Sequence, residues 1–488
     1  MSSVRRGLAI TTIERQLALA IQMAVTVAVS RLLTPADIGV WGIAFAATNL
    51  LLGAREFATE SFLIQRPGLS RDETRVAFTI MLLVTALISL TLALLAPWLA
   101  QFYREHGLAF VLEVLALAVL LEVVSAPLIA LMRRDMAFGD VAIINTVRSV
   151  TTGLVTLGLA LAGFGYMSFA WAWLAAAFLS SAFSVYLRPD TWVYRPRLQG
   201  WSEMLTFGGY SGANVLLYRI YEAVPPFLLG RTLSLDAVGI YNRATLVCQL
   251  PNSILLSGVG SVLLPAMSAE ARAGRDLRVP FLRAVSLLTV LQWPALVSLA
   301  ILAHSLVSIV LGAQWLGTVP LIQIMAIAAL PSFVTELAFP VLVAVGAMRH
   351  VLARALIAWP ISAAIIAVAV HFGLTAVALS LLVIMPLQAG VSLYIVRRHI
   401  AVGWLDLARA CWKSAVITLA SAAGPMAVVA TWQLHGARPI PLVLAAMVLS
   451  AAGWLAAVRY TRHEMLDEIT RLGSFGKRWG VLGRRPQA

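Results

Sequence analysis

Residues 31–41 read Arg31-Leu32-Leu33-Thr34-Pro35-Ala36-Asp37-Ile38-Gly39-Val40-Trp41. The pattern returns further on as Arg231-Thr232-Leu233-Ser234-Leu235-Asp236-Ala237-Val238-Gly239-Ile240-Tyr241. An arginine, a leucine, a hydroxyl, a β-branched residue, a glycine, another β-branched residue and an aromatic fall at matching places without a gap. Each copy follows one long apolar stretch and opens the next. A restricted membrane-loop vocabulary explains this agreement poorly, so the chain reads as an internal duplication. A fainter echo pairs Pro127-Leu128-Ile129-Ala130-Leu131-Met132-Arg133 with the stretch from Pro340 to Met348-Arg349. That one a shared vocabulary could produce.

Working outward, a hydrocarbon core about 30 Å thick needs about 20 apolar residues per helix. By that measure segments are expected near 8–30, 37–64, 76–99, 108–132, 141–163, 167–187, 204–229, 236–265, 281–303, 318–346, 354–372, 374–396, 413–432 and 441–458. The two motif copies lie between segments 1 and 2 and between segments 7 and 8. The repeating unit is therefore six helices, and an even number returns the chain to the same side. This predicts an all-α polytopic membrane protein of about 14 transmembrane helices. Two six-helix lobes are related by a pseudo-two-fold axis along the membrane normal, with two further helices at the C-terminus. The lobes are 1–187 and 204–396, joined by a cytoplasmic linker at 188–203. An additional pair at 413–458 and a basic cytoplasmic tail at 459–488 complete the chain. His371-Phe372-Gly373 must form a very tight turn.

Composition agrees. Of 488 residues 60% are hydrophobic and only 12% are charged, about half the charge fraction of a soluble domain. A soluble fold would leave large apolar patches in water; lipid removes that conflict. The net charge is +14, which can signal nucleic acid when it gathers on one polar domain. Here it is dealt out in small groups between apolar runs, so nucleic acid is excluded as a partner and anionic lipid headgroups are expected instead.

Alternate connections carry the basic residues: Arg66, Arg71 and Arg75; Arg133 and Arg134; Arg188, Arg195 and Arg197; Arg272 to Arg283; Arg349 and Arg354; Arg397 to Lys413. Arg5, Arg6 and the stretch from Arg459 to Arg485 join that set, while the opposite connections hold only Arg31, Arg104, Arg231 and Arg438. Both termini are accordingly expected in the cytoplasm of a bacterial inner-membrane protein. The apolar run from Leu17 to Val29 behind Arg5 and Arg6 has the outline of a signal peptide. Glu14 and Arg15 interrupt it, and the repeat requires that helix to stay.

Several chemistries are disfavoured. Cys248 and Cys411 lie in or beside apolar segments, and the seven histidines show no metal-ligand spacing, so no disulfide framework, metal or redox site is expected. No connection is long enough for a catalytic domain. The expectation is a protein that is not an enzyme, with no catalytic residues and no cofactor.

The motif Arg-x-Leu-[Ser/Thr]-x-x-x-[Ile/Val]-Gly-[Ile/Val] resembles oligosaccharide flippases of the polysaccharide transporter family. Their superfamily also holds multidrug exporters and lipid II flippases. Phe62-Leu63-Ile64-Gln65-Arg66, Met132-Arg133-Arg134-Asp135-Met136-Ala137-Phe138, Gly239-Ile240-Tyr241-Asn242-Arg243-Ala244, Leu263-Leu264-Pro265-Ala266, Trp293-Pro294-Ala295-Leu296 and Leu311-Gly312-Ala313-Gln314-Trp315 carry the same resemblance. Together these stretches fall within residues 5–400. The resemblance implies fourteen helices in two six-helix lobes. It also implies a polyprenyl-diphosphate-linked oligosaccharide as cargo, for exopolysaccharide, O-antigen or capsule. A polysaccharide polymerase or co-polymerase is a further candidate partner.

A charge at a helix centre costs about 2.5–3.5 kcal/mol on insertion scales, so polar residues in the spans point to function. Segment 1 places Thr11, Arg15, Gln22, Thr26 and Ser30 on one side. Segment 7 does so with Tyr210, Ser211, Asn214, Tyr218, Tyr221 and Pro225, with Arg219 and Glu222 close by. Arg55, Glu56 and Glu60 lie in segment 2, Arg148 in segment 5 and Arg243 in segment 8. One reading is a cavity in which Arg15, Arg55, Arg148, Arg219 and Arg243 hold the carrier's diphosphate, helped by Gln22, Asn214, Tyr218 and Tyr221. The other is ion pairing between helices, Arg219 with Glu222 for example. Glu14, Glu56, Glu60 and Glu222 are candidates for a protonation switch that couples transport. Glu113, Glu122 and Glu336 read as packed or hydrogen-bonded acids. Pro225-Pro226, Pro251, Pro294 and Pro340 are candidate hinges or static kinks. A cation-coupled multidrug exporter on the same fold is the alternative function; a polysaccharide polymerase or ligase is a distant third.

Overall fold

The computed structural model describes residues 2–57, 60–66, 68–199, 201–435, 439–468 and 470. The side chains of 2–10, 56, 57, 60, 61, 65, 201–211, 255–262, 431–435 and 439 lie outside that description. Among the described residues the elements are helices and turns only. They are α1 (Ser2–Leu32), α2 (Pro35–Leu52), α3 (Glu60–Gln65), α4 (Arg71–Tyr103), α5 (Gly107–Arg134), α6 (Phe138–Leu161), α7 (Met167–Leu187), α8 (Trp201–Thr232) and α9 (Leu235–Arg272). There follow α10 (Arg278–Leu306), α11 (Val319–Ala328), α12 (Ser332–Ala344), α13 (Met348–Ala369), α14 (Leu374–Val396), α15 (Trp404–His435) and α16 (Pro439–Tyr460).

Eleven spans among the described residues are long and apolar enough to cross a membrane, and a bent pair makes a twelfth candidate. The surface agrees with a lipid solvent. Leu83, Leu87, Leu90 and Leu94 stand at helical spacing along α4 and are each more than half exposed. The buried polar groups are mostly hydroxyls, many of them satisfied within their own helix, such as Thr48 donating to Ala44 O at 2.8 Å and Ser362 to Ala358 O at 2.7 Å. The chain is a multi-pass membrane protein.

Local sequence explains the helix ends. Thr34 caps α2: its Oγ1 accepts the Asp37 N–H at 3.2 Å while the Asp37 carboxylate accepts the Thr34 N–H at 3.0 Å, with Pro35 in the first turn. In the second copy Ser234 Oγ accepts the Ala237 N–H at 3.1 Å. The tight turn between α13 and α14 is a 3-10 turn, Val370–Phe372, closed by Gly373 at φ 100°, a backbone only glycine adopts readily.

Two expected helices are broken. Segment 37–64 is not continuous: α2 gives way to a 3-10 turn at Gly53–Phe57, followed by the short α3. Segment 318–346 divides into α11 and α12, bent by 51°. Pro331 sits at that break; it lacks an N–H and disfavours helix in the residue before it. Pro225, Pro226, Pro251, Pro294 and Pro340 all lie inside helices that continue past them.

Two compact units emerge. One comprises the chain up to Arg243 with Val310–Gly317 and Val351–Val377; the other comprises Ala244–Ile309, Thr318–His350 and the chain from Ala378 on. Within the first, the duplicated motifs meet. A Cβ at Gly39 would stand 1.9 Å from Leu235 O, and a Cβ at Gly239 would stand 1.9 Å from Pro35 O. Each glycine thus admits the other copy's first helical turn, backbone against backbone. A Cβ at Gly42 would likewise collide with the Asn242 amide, at 2.0 Å.

The second unit is built around α10, α15 and α16. Trp454 Nε1 donates to Val290 O at 2.8 Å, and Thr289 Oγ1 donates to Ser414 Oγ at 2.9 Å. Gly424 and Gly453 sit against the backbones of α16 and α15 respectively, where a Cβ would meet atoms at 2.5–2.6 Å. A polar chain runs through its interior: Gln292 Nε2 donates to Asn252 Oδ1 at 2.8 Å, and Asn252 Nδ2 donates to Glu336 Oε1 at 3.0 Å.

Candidate functional site

The first unit holds a polar cavity of about 210 Å³ lined by Asn49, Leu52, Arg55, Glu122, Arg148, Trp173 and Arg219. It is deep. Glu122 stands near the middle of α5, roughly 20 Å from either end at 1.5 Å per residue.

Local structure brings the lining together. The break after α2 turns Arg55 out of the helical register, and Gly53 clears the path of α8: a Cβ there would lie 3.1 Å from Arg219 Cγ. Arg55 and Arg219, 164 positions apart in the chain, thereby share one wall. Arg148 comes from the middle of α6 and Glu122 from α5. Trp173 of α7 is held by aromatic neighbours on α2, with its ring centroid 6.0 Å from Trp41 and 5.9 Å from Phe45. Trp41, the aromatic that closes the first motif copy, also stacks on Phe169 at 5.1 Å.

The electrostatics centre on Glu122, whose side chain is 7% exposed. Its Oε1 accepts the Trp173 indole N–H at 2.8 Å and a short bond from Arg148 Nη2. Its Oε2 lies 3.9 Å from Arg55 Nη1, a charge contact without a hydrogen bond. That Arg55 nitrogen is buried and finds no hydrogen-bond partner among the described residues. Arg219 Nη1 pairs with Glu222 Oε2 at 2.9 Å, the helical pair expected from their spacing. The lining itself carries three guanidiniums and one carboxylate.

Of the sequence-predicted positions, Arg55, Arg148 and Arg219 converge here. Tyr218 and Tyr221 lie beside Arg219 on α8 and pack on Trp359 of α13, with centroids at 5.6 and 6.3 Å. Asn214, a turn earlier, has its Oδ1 buried without a partner among the described residues. Arg243 stands apart from the cavity lining: it is 7% exposed and its guanidinium stacks over Trp315 at 5.5 Å. Arg15 and Gln22 are exposed on α1 and do not line the cavity, because the face of α1 that meets α6 is the one bearing Ile21 and Val25. Glu14 is hydrogen-bonded with Asn145. The side chains of Glu56 and Glu60, like those of Tyr210 and Ser211, lie outside the described residues.

Sequence reasoning missed Asn49, Trp173 and Trp359 and read Glu122 as a packed or hydrogen-bonded acid. Glu122 is hydrogen-bonded as expected, and its partners are the cavity arginines. The charges in α5, α6 and the 3-10 turn after α2 were each visible in the sequence, but nothing there grouped them; the indoles gave no signal.

Residues 28–320 match the family described as polysaccharide biosynthesis protein. The teichuronic acid biosynthesis protein TuaB of Bacillus subtilis (strain 168) is 22% identical over 54% of this chain and 55% of its own length. The lipopolysaccharide biosynthesis protein WzxC of Escherichia coli (strain K12) is 22% identical over 56% of each chain. The chain thus spans little more than half the length of these relatives. Among solved structures, the lipid II flippase MurJ in an inward closed conformation superposes with a TM-score of 0.75 at 12% identity, over 93% of this chain and all of that one. That likeness establishes the fold. With its matched region covering well over half the sequence, the chain belongs to the polysaccharide biosynthesis protein family.

Proposed function

We propose that this protein flips a polyprenyl-diphosphate-linked oligosaccharide from the cytoplasmic to the outer leaflet of a bacterial inner membrane, by alternating access and without covalent chemistry. The product feeds surface polysaccharide synthesis, with a polymerase or co-polymerase acting next. Both termini are cytoplasmic. The fourteen-helix arrangement is two six-helix lobes, 1–187 and 204–396, about a pseudo-two-fold axis, with the linker 188–203, the pair 413–458 and the tail 459–488. The reciprocal glycine contact of the two motif copies supports that symmetry.

The observation that carries the cargo assignment is the convergence of Arg55, Arg148 and Arg219 on one cavity. Three guanidiniums at this depth cost about 8–10 kcal/mol on insertion scales, and Glu122 offsets only part of that. A diphosphate is the natural complement: planar forks grip phosphate oxygens bidentately and stay charged when poorly hydrated. The lining's excess of two positive charges equals the two negative charges of a diphosphate diester. The cavity is smaller than the 300–1,000 Å³ typical of small-molecule sites, which suits the headgroup rather than the whole glycan. Tyr218, Tyr221 and Trp359 offer aromatic faces next to it for the first sugar. Relatives concerned with teichuronic acid and lipopolysaccharide, and the fold shared with a lipid II flippase, support the cargo class.

The multidrug alternative requires an anionic site for organic cations; the cationic lining argues against it. Glu14, Glu56, Glu60 and Glu222 remain the proposed coupling acids, and Arg15, Gln22, Asn214 and Arg243 the outlying contacts. The test is Arg55→Ala and Arg219→Ala in a deletion strain. Export should be abolished while the protein still inserts and folds, and lipid-linked repeat units should accumulate facing the cytoplasm. Normal export by the double variant would end the assignment, and external, unpolymerised repeats would point to a polymerase.

A further inference from the structure

Resting on that reading of the cavity, we infer that Glu122 is a built-in counter-anion: it neutralises the arginines while the site is empty and yields them to the phosphates of an arriving carrier. The geometry is asymmetric in a way that fits this role. Oε1 is held twice, by Trp173 Nε1 at 2.8 Å and by Arg148. Oε2 has only the loose 3.9 Å contact with Arg55, whose Nη1 is buried and unbonded among the described residues. Arg55 is therefore close enough to be neutralised and free enough to be claimed. Arg219, on the same wall as Arg55, spends its bond on Glu222. The charged groups facing Glu122 are thus Arg55 from the 3-10 turn, Arg148 from α6 and Arg219 from α8, with Glu222 beyond.

An anion that enters beside Arg55 meets a fixed negative charge competing for the same guanidiniums. In a poorly hydrated cavity that repulsion is weakly screened. Glu122 consequently weakens cargo binding and hastens release. A carrier that must leave on the other side needs a site strong enough to load and weak enough to empty. A scaffolding role has the opposite sign. If Glu122 merely aims Arg148 and Arg55 at the cavity, losing its charge weakens binding.

The experiment is equilibrium titration of the full chain in lipid nanodiscs with inorganic diphosphate. Glu122→Gln preserves size and leaves a carbonyl to accept the Trp173 N–H. It should bind diphosphate about tenfold more tightly, equivalent to about 1.4 kcal/mol, while export at saturating carrier slows. The ligand-induced rise in melting temperature should grow with it. If Glu122→Gln does not fold, Glu122→Asp, which keeps the charge but withdraws it from Arg55, should lie between wild type and that gain. Weakened binding by Arg55→Ala alongside unchanged or weaker binding by Glu122→Gln overturns the counter-anion and leaves the cargo site standing. Unchanged diphosphate binding by Arg55→Ala overturns the cargo site, and the counter-anion with it.

Discussion

Replacing Gly39 by alanine tests whether the two motif copies hold the first unit together. On an isolated helix the change should stabilise, since alanine is favoured over glycine by about 0.8–1.0 kcal/mol. In this structure the new Cβ would stand 1.9 Å from Leu235 O and 3.1 Å from Leu235 Cα. Ordinary contact requires about 1.5 Å more, and no rotamer can supply it because backbone stands on both sides. The helices must part, at the cost of about 1–3 kcal/mol typical of overpacking. Gly239→Ala meets Pro35 O at the same distance and should cost as much. The double variant should cost less than the sum, because one separation relieves both collisions. A Cβ added to Gly158 of α6 would meet nothing within 4 Å, so Gly158→Ala should be neutral or slightly stabilising. Thermal unfolding of the four purified forms and this control, in one detergent, reads the signs directly. A Gly39→Ala protein at least as stable as wild type, or strictly additive losses, would refute the crossing.

Two other perturbations have signs fixed by the structure. Thr34→Ala removes the hydroxyl that accepts the Asp37 N–H and should cost about 0.5–2 kcal/mol, measured as a lower unfolding midpoint; an unchanged midpoint would mean the cap is idle. His463, beyond the last span, is buried, with Nδ1 accepting the Met465 N–H at 3.1 Å and Nε2 facing Ser286 Oγ at 3.0 Å. Burial, with Lys413 nearby, pushes its pKa down from 6.5 to about 4. Because the unfolded chain takes the proton first, this contribution is complete above about pH 6.5. It is lost as the pH falls towards 4, by at most about 3 kcal/mol. His463→Gln should flatten stability across that window, and an equally steep acid loss in the variant would assign it elsewhere.

How much was legible follows from what each feature leaves in a sequence. Spans are written as runs of twenty apolar residues, so their existence could be read directly; so could the turn at Gly373. The breaks were harder. Gly53 looks like any glycine in an apolar stretch, yet its missing Cβ admits Arg219, and the helix opens there. Pro331 was passed over while Pro340, equally a proline, stays inside α12. Arg55, Arg148 and Arg219 were recoverable because charge is expensive in hydrocarbon wherever it sits. Glu122 is hydrogen-bonded as its sequence reading allows, but its partners could not be read. Its meaning depends on Arg148, 26 positions on, and on Trp173, 51 positions on, and no helical periodicity links them. Arg15 and Gln22 share a helix face with one another, but periodicity alone does not say whether that face meets a cavity or the surface.

The duplication itself separates packing from chemistry. At the crossing the copies agree: Gly39 answers Gly239, and each is needed because the other's backbone lies against it. One turn inward they part. Gly42 corresponds to Asn242, and the small residue of one copy makes room for the amide of the other. Ile43 corresponds to Arg243, and both are buried, at 0% and 7% exposure. A buried guanidinium costs far more than a buried isoleucine, and stacking on Trp315 recovers only about 2 kcal/mol of that. The matching position in the first motif copy shows that an apolar side chain can fill such a place. The second copy instead carries a charge there, with no carboxylate within ion-pair distance among the described residues. A cation held at that cost, on the helix that opens with the repeated motif, is accounted for under the proposed function as an outlying contact for the anionic cargo.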